Sequence, residues 1–495
     1  MEKATFEDKP SAVEPSTVYA ADVDEDSVSP TPLKDTEKGT EKNTAYVRTH
    51  DVFEVNESGP DFRGVSWFGA VVLLTKQQIG LGVLSLPKVL NTLGMVPGML
   101  IILFIAAMAT FGSVVIGKFG QNHPGVHTMG DVGFIIAGVF GRELFGWGFW
   151  LLECFSAASG ILATSIALNA ISDHGTCTIV FVVVAAVVIG LGASPRTFKQ
   201  ISWLGYVGIC SILPAIFIAT IAVGVADRPP NAPAGPYDKR LRAIGDCTLV
   251  EGLGAIINVL FAYAGSAGFL PVISEMRNPK GYTSAVLTCQ LFSTALYVSV
   301  ASVLWYYCGQ YIASPALGSA GPLIKKIAYG VAIPGLLAGP IIYAHLSTKF
   351  CFVRILRGTR HLQESTAVHW FTWLGLIVSI IAFCFVIAEV VPFFDELIGL
   401  VGAVFASMFS ILIPGLMWLY DNHNEKPNGS RTLRNKIIYM ISAMMMVVGF
   451  ALLVLGLYAS VENIKNAFAA GSVGSPFTCA DNSKTTTSYI NVTST

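Results

Sequence analysis

The chain carries little charge for its length. Only 13% of its 495 residues are Asp, Glu, Lys or Arg, whereas a soluble domain carries about 25%. Hydrophobic residues make up 53% of the chain, and the mean hydropathy is +0.61. These values exclude an ordinary soluble domain and indicate a protein embedded in a lipid bilayer.

The chain also lacks the sequence patterns of common enzymes and nucleic-acid binders. It contains no phosphate-binding P-loop, no HExxH zinc motif and no nucleophile elbow with triad partners. Its cysteines and histidines do not follow metal-ligand spacing, and there is no basic stripe of the kind that binds nucleic acid. We therefore expect no enzymatic activity, no cofactor, no metal site and no nucleic-acid partner.

Residues 1–62 lack the basic start and short apolar core of a signal peptide. They contain 15 acidic residues against 6 basic ones and are rich in Ser, Thr and Pro, a composition that cannot bury a core. We expect a disordered acidic tail in the cytosol. Its lysines, such as Lys34, Lys38 and Lys42, are candidate acceptors for a ubiquitin ligase.

Long apolar runs fill the rest of the chain. A membrane-spanning helix needs roughly 20 apolar residues. The predicted spans are about 66–91, 95–118, 146–172, 177–194, 202–225, 249–273, 283–308, 326–353, 370–391, 394–420 and 437–461. The sequence thus predicts an all-α polytopic membrane protein with 11 transmembrane helices. Its transmembrane domain is residues 63–461, and a C-terminal tail follows at 462–495.

Basic residues predict the orientation of these spans. They are more frequent in the loops after spans 2, 4, 6, 8 and 10 than in the other loops, and cytosolic loops are enriched in Lys and Arg. This places the N-terminus in the cytosol and the C-terminus outside, where Asn491 matches a glycosylation acceptor. No sorting signal is visible. We expect the plasma membrane, with the vacuolar membrane as the alternative.

Two spans are interrupted near their middle. The first contains Gly80, Gly82 and Pro87, and the sixth has a run of small residues ending at Pro271. Glycine and proline weaken the helical hydrogen-bond ladder. Two interrupted spans at matching positions in two halves are typical of inverted-repeat secondary transporters with a site near the bilayer midplane. The halves would be 66–225 and 249–420, with 437–461 as an extra helix.

The first interruption is the candidate substrate site. The carbonyl groups of Ile79, Gly80 and Leu81 are placed to accept an ammonium group or a cation. The half-helix that begins after Gly82, with Val83 in its first turn, directs N–H groups and a positive dipole end at a carboxylate. A zwitterion fits both features. The alternative is close helix packing, since glycine is common at membrane helix contacts.

The sixth span is expected to form the facing wall of this site. Ala264, Gly265 and Ser266 would expose backbone groups, while Phe261 and Tyr263 would offer aromatic surface to an apolar side chain or form a gate. For each aromatic ring, ordinary packing is the alternative.

Two charged residues lie deep within predicted spans, Lys76 at about 13 Å and Glu153 at about 12 Å from the cytosolic side. Each costs roughly 2.5–3.5 kcal/mol to insert. We hypothesise that they are neighbours that form an ion pair, and that Glu153 carries a coupling proton; a purely structural pair is the alternative. Three weaker candidates for the transport pathway lie in the eighth span: His345, Ser347 and Thr348.

Cys177 and Cys247 lie at the outer ends of spans 4 and 6, on the face expected to be oxidising. We hypothesise a disulfide between them. Cys479, in the outer tail, is a competing partner.

Several segments resemble a known family. Residues 80–87, followed by 93–98, and residues 261–264 resemble the amino acid/auxin permease family. Residues 314–323 are similar to its fungal branch, the neutral and aromatic amino-acid permeases of the methyltryptophan-resistance type. The resemblance implies a LeuT-like (APC-type) five-plus-five inverted repeat with discontinuous helices 1 and 6. It also implies that spans 1, 3, 6 and 8 line the site.

The resemblance further implies inward transport of neutral amino acids, commonly driven by protons in fungi. A cysteine pair between the outer loops is common in the wider family, which strengthens the Cys177–Cys247 hypothesis. Lys76 departs from the fungal pattern, and a fixed positive charge there could replace a bound cation. The alternatives are an ion-independent exchanger, a vacuolar transporter, and a non-transporting amino-acid sensor with residues 1–62 as its signalling arm.

Overall fold

The computed structural model describes residues 65–483 with short gaps. The gaps lie at 81, 124, 197–202, 234, 358, 363, 365, 392–393, 424–432 and 470–475. The predicted acidic tail with its candidate ubiquitination lysines, the glycosylation acceptor Asn491 and the site residue Leu81 all lie outside the described residues, so those predictions stay predictions.

Every regular element in the described ranges is helical, and the extended pairing there is a single bridge between Val65 and Met276. The α-helices are α1 (Trp67–Gln78), α2 (Leu86–Leu93), α3 (Met95–Asn122), α4 (Met129–Ser172), α5 (Thr178–Ala193), α6 (Trp203–Val225), α7 (Leu249–Ala262), α8 (Phe269–Glu275), α9 (Tyr282–Cys308), α10 (Pro322–Leu356), α11 (Ala367–Val390), α12 (Phe394–Val401), α13 (Ile413–Asp421) and α14 (Leu433–Ala469). Helices satisfy their own backbone hydrogen bonds, as a lipid environment requires. The predicted all-α class is confirmed.

Within the described residues, 9 helices are long and apolar enough to cross a membrane, and the count is 10 if the bent pair α1 and α2 forms one span. The fourth predicted span is the apolar helix α5, which has only 16 residues. The chain is therefore a multi-pass membrane protein. The exact number of eleven crossings remains a prediction.

Helix α4 begins earlier than the predicted third span. It starts at Met129 and is bent at Ala137 and Gly138, where Gly138 adopts a φ of +62°. The segment before the bend folds back on the helix, because a Cβ added at Gly133 would lie 2.1 Å from the carbonyl oxygen of Gly141. The segment from Met129 to the bend is thus a helical arm packed against the rest of α4.

The two ends of the helix bundle carry different contacts. At one end, which we call the disulfide end, Cys177 is bonded to Cys479. At the other, which we call the opposite end, His123 Nε2 lies 2.7 Å from Asp421 Oδ1. Helix α3 runs from the disulfide end to the opposite end.

The disulfide corrects the sequence-based hypothesis, because Cys177 pairs with Cys479 and Cys247 is free and half-buried. The cause is the course of the C-terminal segment 476–483, which docks on α4 and α5. Asn482 is buried there, accepts a hydrogen bond from Asn169 Nδ2 at 2.7 Å and donates to Ser165 Oγ at 3.0 Å. This docking brings Cys479 beside Cys177, whereas Cys247 lies at the start of α7.

The connection between α6 and α7 contains no helix among its described residues, as its proline and glycine content predicts. It is nevertheless anchored at the disulfide end. Met95 N donates to Arg242 O at 3.1 Å, and Gly245 N donates to Leu93 O at 2.8 Å. Glycine is required at position 94, since its φ is +86° and a Cβ there would lie 2.5 Å from Gly245 N.

Candidate functional site

The first span is interrupted as the sequence predicts. Helix α1 ends at Gln78, Ile79 is extended with φ −86° and ψ 100°, and a single 3₁₀ turn at Gly82–Leu84 precedes α2. Gly80 and Gly82 destabilise the helix here, because glycine has a low helix propensity. Pro87 lies in the first turn of α2, where its missing N–H leaves no helical bond unmade. The two half-helices meet at an angle of 48°.

The sixth span takes a different form from the expected open gap. Helix α7 ends at Ala262, the chain tightens into a 3₁₀ helix over Ala264–Gly268, and α8 follows at once. Small side chains permit this tighter winding, in which side chains three residues apart eclipse each other. The span therefore changes its helix type but does not become extended.

The two interruptions are packed directly against each other. A Cβ added at Gly82 would lie 2.4 Å from the Cα atom of Ala262, and one added at Gly265 would lie 2.5 Å from the carbonyl oxygen of Gln77. Both positions therefore require glycine. Gly82 of the first interruption thus packs against the end of α7, and Gly265 of the second interruption packs against the end of α1.

A tyrosine of α9 joins the two half-helix ends. The hydroxyl of Tyr297 lies 2.7 Å from the carbonyl oxygen of Gln78 and 2.9 Å from that of Ala262. These carbonyl groups belong to the last residues of α1 and α7, where intrahelical partners run out. The Tyr297 side chain is fully buried, so its hydroxyl supplies hydrogen bonding that water cannot.

A small cavity of about 40 Å³ lies at this junction. Its lining residues come from the first break, from α4, from the sixth span and from α10: Gln77, Gln78, Gly80, Gly82, Leu152, Glu153, Ser156, Phe261, Ala264, Gly265, Ala267, Gly268 and Tyr343. We call it the central cavity. A Cβ added at Gly80 would have no other atom within 4 Å. A water molecule occupies about 30 Å³ of liquid, so an amino acid enters only if the walls move apart.

Glu153 is the acidic residue of the central cavity wall. It is 4% exposed, and its Oε2 atom has no hydrogen-bond partner among the described residues. A buried carboxyl oxygen without a partner is costly. This carboxyl group is therefore positioned to bind or carry a cation or a proton.

Lys76 lies in a second cavity of about 40 Å³, towards the opposite end. Its side chain passes between glycines of α6 and α10: a Cβ added at Gly208 would lie 2.4 Å from Lys76 Cε, and one added at Gly339 would lie 3.6 Å from Lys76 Nζ. Glu275 also lines this cavity, which we call the lysine cavity.

The hypothesised Lys76–Glu153 ion pair is wrong, since no such contact occurs within 4.0 Å among the described residues. The physical reason is their placement in different cavities. The ammonium group of Lys76 lies beside Gly339 in the lysine cavity, whereas Glu153 lines the central cavity. Gln77 and Tyr343 line both cavities and therefore lie between the two charged groups.

Buried polar contacts around the interruptions were not predicted. Gln78 Nε2 donates to Gln290 Oε1 at 3.4 Å, and Gln290 Nε2 donates to Ser113 Oγ at 3.2 Å. Ser266 Oγ donates to Ser410 Oγ at 2.8 Å. Uncharged polar side chains inside apolar spans, which connect helices in membranes, are the signal that could have revealed them.

Ser410 lies in an 11-residue π-helical segment, Gly402–Leu412, between α12 and α13. Such segments are rare and are frequently found at functional sites. Here the segment packs closely on α7, because a Cβ added at Gly402 would lie 2.5 Å from the carbonyl oxygen of Ile257. The tenth span therefore belongs to the surroundings of the site.

Some predicted substrate-binding residues do not line the central cavity. The Tyr263 hydroxyl lies 3.0 Å from Thr294 Oγ1 on α9, and the Ser266 hydroxyl donates to the π-helical segment. Ile79 and Val83 are fully buried outside the cavity lining. By contrast, the structure brings Phe261 together with the backbone of both interruptions.

The three residues singled out in the eighth span also lie away from both cavities. The His345 ring packs against Trp373 at 5.4 Å, the Ser347 hydroxyl accepts from Cys154 Sγ at 3.6 Å, and Thr348 Oγ1 donates to a carbonyl of its own helix. The residue of this span that lines both cavities is Tyr343. It had no distinguishing sequence signal among the many aromatic residues.

Comparison with known proteins agrees with this arrangement. The family model described as transmembrane amino acid transporter protein matches residues 63–459. The chain belongs to this family, as the resemblance of its motifs implied, and is a membrane transporter of amino acids, not an enzyme.

Its relatives span most of the chain. A transmembrane transporter of Gibberella moniliformis is 40% identical over 450 residues, covering 91% of this chain and 93% of that protein. The N amino acid transport system protein of Neurospora crassa is 31% identical over 433 residues, covering 86% and 91%. The amino acid transporter AVT1J of Arabidopsis thaliana is 23% identical over 405 residues, covering 79% and 89%.

Proposed function

We propose that this protein is a secondary active transporter that imports neutral amino acids, aliphatic and aromatic, together with protons. The substrate is held at the central cavity, which opens alternately to each side of the membrane. The observation that carries the proposal is the direct contact between two interrupted helices around a cavity with a backbone and carboxyl lining.

The zwitterion is bound mainly by backbone groups. Carbonyl oxygens around Gly80 accept hydrogen bonds from the ammonium group, and the N–H groups at the start of the second half-helix donate hydrogen bonds to the carboxylate. Phe261 and Tyr343, which both line the cavity, contact the side chain. The two aromatic rings favour an apolar side chain, and the absence of a basic side chain in the described lining disfavours an acidic one.

The fold is a five-plus-five inverted repeat, with α14 outside it. The mirrored glycine contacts support this proposal: Gly82 of the first half meets α7, and Gly265 of the second half meets α1. An approximate two-fold axis between the interruptions would produce such a pair.

Transport requires the central cavity to expand, because about 40 Å³ does not hold an amino acid. We assign the expansion to movement of the spans that carry Phe261 and Tyr343. The lysine cavity then becomes part of the path to the opposite end, since Gln77 and Tyr343 form the wall between the two cavities.

Glu153 carries the coupling proton, and the Lys76 ammonium group takes the place of a bound metal cation. The unpartnered Glu153 oxygen supports the first role. The fixed position of Lys76 between Gly208 and Gly339 supports the second. Transport should therefore depend on a proton gradient and not on sodium.

The disulfide end faces the outside of the cell, and the opposite end faces the cytosol. Disulfides persist in oxidising compartments, and the Cys177–Cys479 bond supports that assignment for one end. This orientation agrees with the distribution of basic loop residues, which places the N-terminus inside. We propose the plasma membrane as the location.

The proposal is tested by substitution at Gly80, where space is open. Gly80→Val places two methyl groups in the central cavity without a backbone clash. We expect uptake of labelled L-leucine into proteoliposomes to fall by on the order of tenfold or more, equivalent to about 1.4 kcal/mol of lost binding. Gly82→Val is unsuitable, because it clashes with the Ala262 backbone.

Gly330→Val is the matched control. Gly330 is exposed on α10, and a Cβ there also meets no other atom within 4 Å. It should transport normally. Normal uptake by the Gly80→Val protein, at equal reconstitution and equal thermal stability, would reject the central cavity as the substrate site.

A further inference from the structure

A group of arginines lies at the opposite end of the bundle, outside the lining of the central cavity and of the lysine cavity. Arg142 follows shortly after the bend in α4, and Arg354 lies in the last turn of α10. Arg357 comes directly after the last residue of that helix. We call these three arginines, together with Glu143, the arginine cluster.

The arginine cluster carries more positive than negative charge. The Glu143 carboxylate is paired with Arg354 and lies 3.5 Å from Arg142 Nε. Arg357 is exposed and forms no ion pair within the described part of the chain. The charges of Arg142 and Arg357 both act on the Arg354 guanidinium group. Three cations and one anion leave an excess of two positive charges, and an anion bound among them would relieve their repulsion.

Aromatic rings hold two of these guanidinium groups in place. The Arg354 guanidinium carbon lies 5.5 Å from the ring centre of Trp147 and 5.3 Å from that of Phe350. The Arg142 guanidinium carbon lies 5.5 Å from the ring centre of Phe134, in the helical arm that folds back on α4. Stacking on a ring does not use the N–H groups of an arginine. The cluster is therefore positioned to donate hydrogen bonds to an oxyanion.

An apolar stripe continues from the arginine cluster along α4. Phe140 is 73% exposed, Leu144 is 49% exposed and Trp147 is 42% exposed. Their spacing of four and then three residues places them on one face of the helix. In a chain that spans a bilayer, such a face contacts acyl chains, and tryptophan is enriched at the level of the lipid headgroups. A ligand that fits both features has an anionic headgroup and acyl chains.

We propose that the arginine cluster binds the headgroup of an anionic phospholipid whose acyl chains lie along Phe140, Leu144 and Trp147. The lipid phosphate accepts charge-assisted hydrogen bonds from Arg142 and Arg357. The proposed orientation places this end in the cytosolic leaflet, where anionic lipids attract basic segments. The inference rests on the proposed function for the choice of leaflet, and the binding itself does not depend on it.

The proposed lipid joins two helices that contribute to the transport site. Helix α4 carries Glu153 and helix α10 carries Tyr343, and both residues line the central cavity. A lipid that contacts the start of α4 and the end of α10 therefore stabilises the packing of these helices at the opposite end.

Trp147 provides a fluorescent probe within the proposed site. Brominated acyl chains quench tryptophan fluorescence on contact, so the full-length protein is reconstituted into phosphatidylcholine bilayers containing brominated phosphatidylserine. The Trp147→Phe protein gives the signal of the other tryptophans, which is subtracted. We expect phosphatidylserine to bind beside Trp147 at least about fivefold more strongly than phosphatidylcholine, which corresponds to one basic residue near an anionic headgroup.

A double variant tests the role of the charge. Arg142→Gln with Arg357→Gln keeps the ion pair of Glu143 and leaves the cluster without excess charge, so the preference for phosphatidylserine should disappear. Arg277→Gln with Lys280→Gln is the matched control, because it removes two exposed cations elsewhere at the same end of the bundle. The control protein should keep the preference.

Three results would overturn the inference: equal quenching by the two lipids in the unsubstituted protein, loss of the preference in the control protein, or competition by soluble glycerophosphoserine. The last compound has the headgroup without acyl chains, so its competition would indicate a site for free anions. Both leaflets of these bilayers have the same composition, so none of these results depends on orientation or transport. The transport proposal is tested separately by Gly80→Val.

Discussion

At the scale of single residues, the glycines of the two interruptions and the carboxyl group of Glu153 define the central cavity. Gly82 and Gly265 let the two interrupted spans approach within van der Waals distance, whereas Gly80 leaves open space. These glycines look alike in the sequence, which predicted that all three interrupt helices and make backbone groups available to a substrate. Which glycine packs and which one opens the cavity depends on the partner helix, so it could not be predicted.

Glu153 tests the coupling mechanism. Glu153→Gln keeps the size of the side chain and removes the titrating proton. We expect substrate binding to persist, while an inward proton gradient no longer accelerates leucine uptake into proteoliposomes. Glu389→Gln is a matched control, because Glu389 is 5% exposed, has an unpartnered Oε1 and lines neither central nor lysine cavity. Gradient-driven uptake by the Glu153→Gln protein would rule out this carboxyl group as the proton carrier.

The Lys76 side chain depends on the absence of a side chain at Gly208. Gly208→Val should lower the apparent melting temperature, because even its Cβ would lie 2.4 Å from Lys76 Cε. Lys76→Ala in the same protein should restore part of the loss, since contacting residues are energetically coupled, typically by about 0.5–3 kcal/mol. Thermal denaturation of the four proteins of this cycle measures the coupling. Additive effects would show that the two residues do not touch.

At the scale of elements, the two interrupted spans differ in how far the sequence predicted them. Gly80, Gly82 and Pro87 are strong local signals, and the first break occurs where they predict it. The sixth span contains only small residues before Pro271, and these are compatible with an open gap or a 3₁₀ turn. Tertiary packing against α1 and the π-helical segment decides between the two forms, and no local pattern encodes it.

The bridge between the two half-helix ends gives a prediction at this scale. Tyr297→Phe leaves the carbonyl groups of Gln78 and Ala262 without this donor, which costs about 1–3 kcal/mol for an unsatisfied buried group. We expect a lower melting temperature and reduced leucine uptake. Tyr306→Phe, on the exposed face of the same helix, should change neither. A Tyr297→Phe protein as stable and active as the Tyr306→Phe protein would mean that the bridge contributes nothing.

At the scale of the whole molecule, the C-terminal segment 476–483 packs on the disulfide end, where Cys479 is bonded to Cys177. The sequence predicted a tail there and named Cys479 as a possible partner, yet favoured Cys247. The error arose because hydropathy gives the order of the spans and not the path of a polar tail. The anchor, Asn482 buried against Ser165 and Asn169, lies far from these residues in sequence.

The disulfide assignment can be checked directly. Non-reducing peptide mapping should recover the Cys177 and Cys479 peptides joined and the Cys247 peptide free. Cys479→Ser should lower stability by about 2–4 kcal/mol, and Cys247→Ser should leave it unchanged. Recovery of a Cys177–Cys247 peptide would contradict the observed course of the tail.

The central claim is that backbone groups at two touching helix interruptions hold the amino acid. A substrate-bound map of the full-length protein with L-leucine tests it most directly. The account predicts leucine between Gly80 and Gly265, its ammonium and carboxylate within about 3 Å of backbone atoms, with Phe261 and Tyr343 further apart than in the closed cavity. A map of the transporting protein with leucine bound elsewhere in the path, and the central cavity still closed, would contradict it.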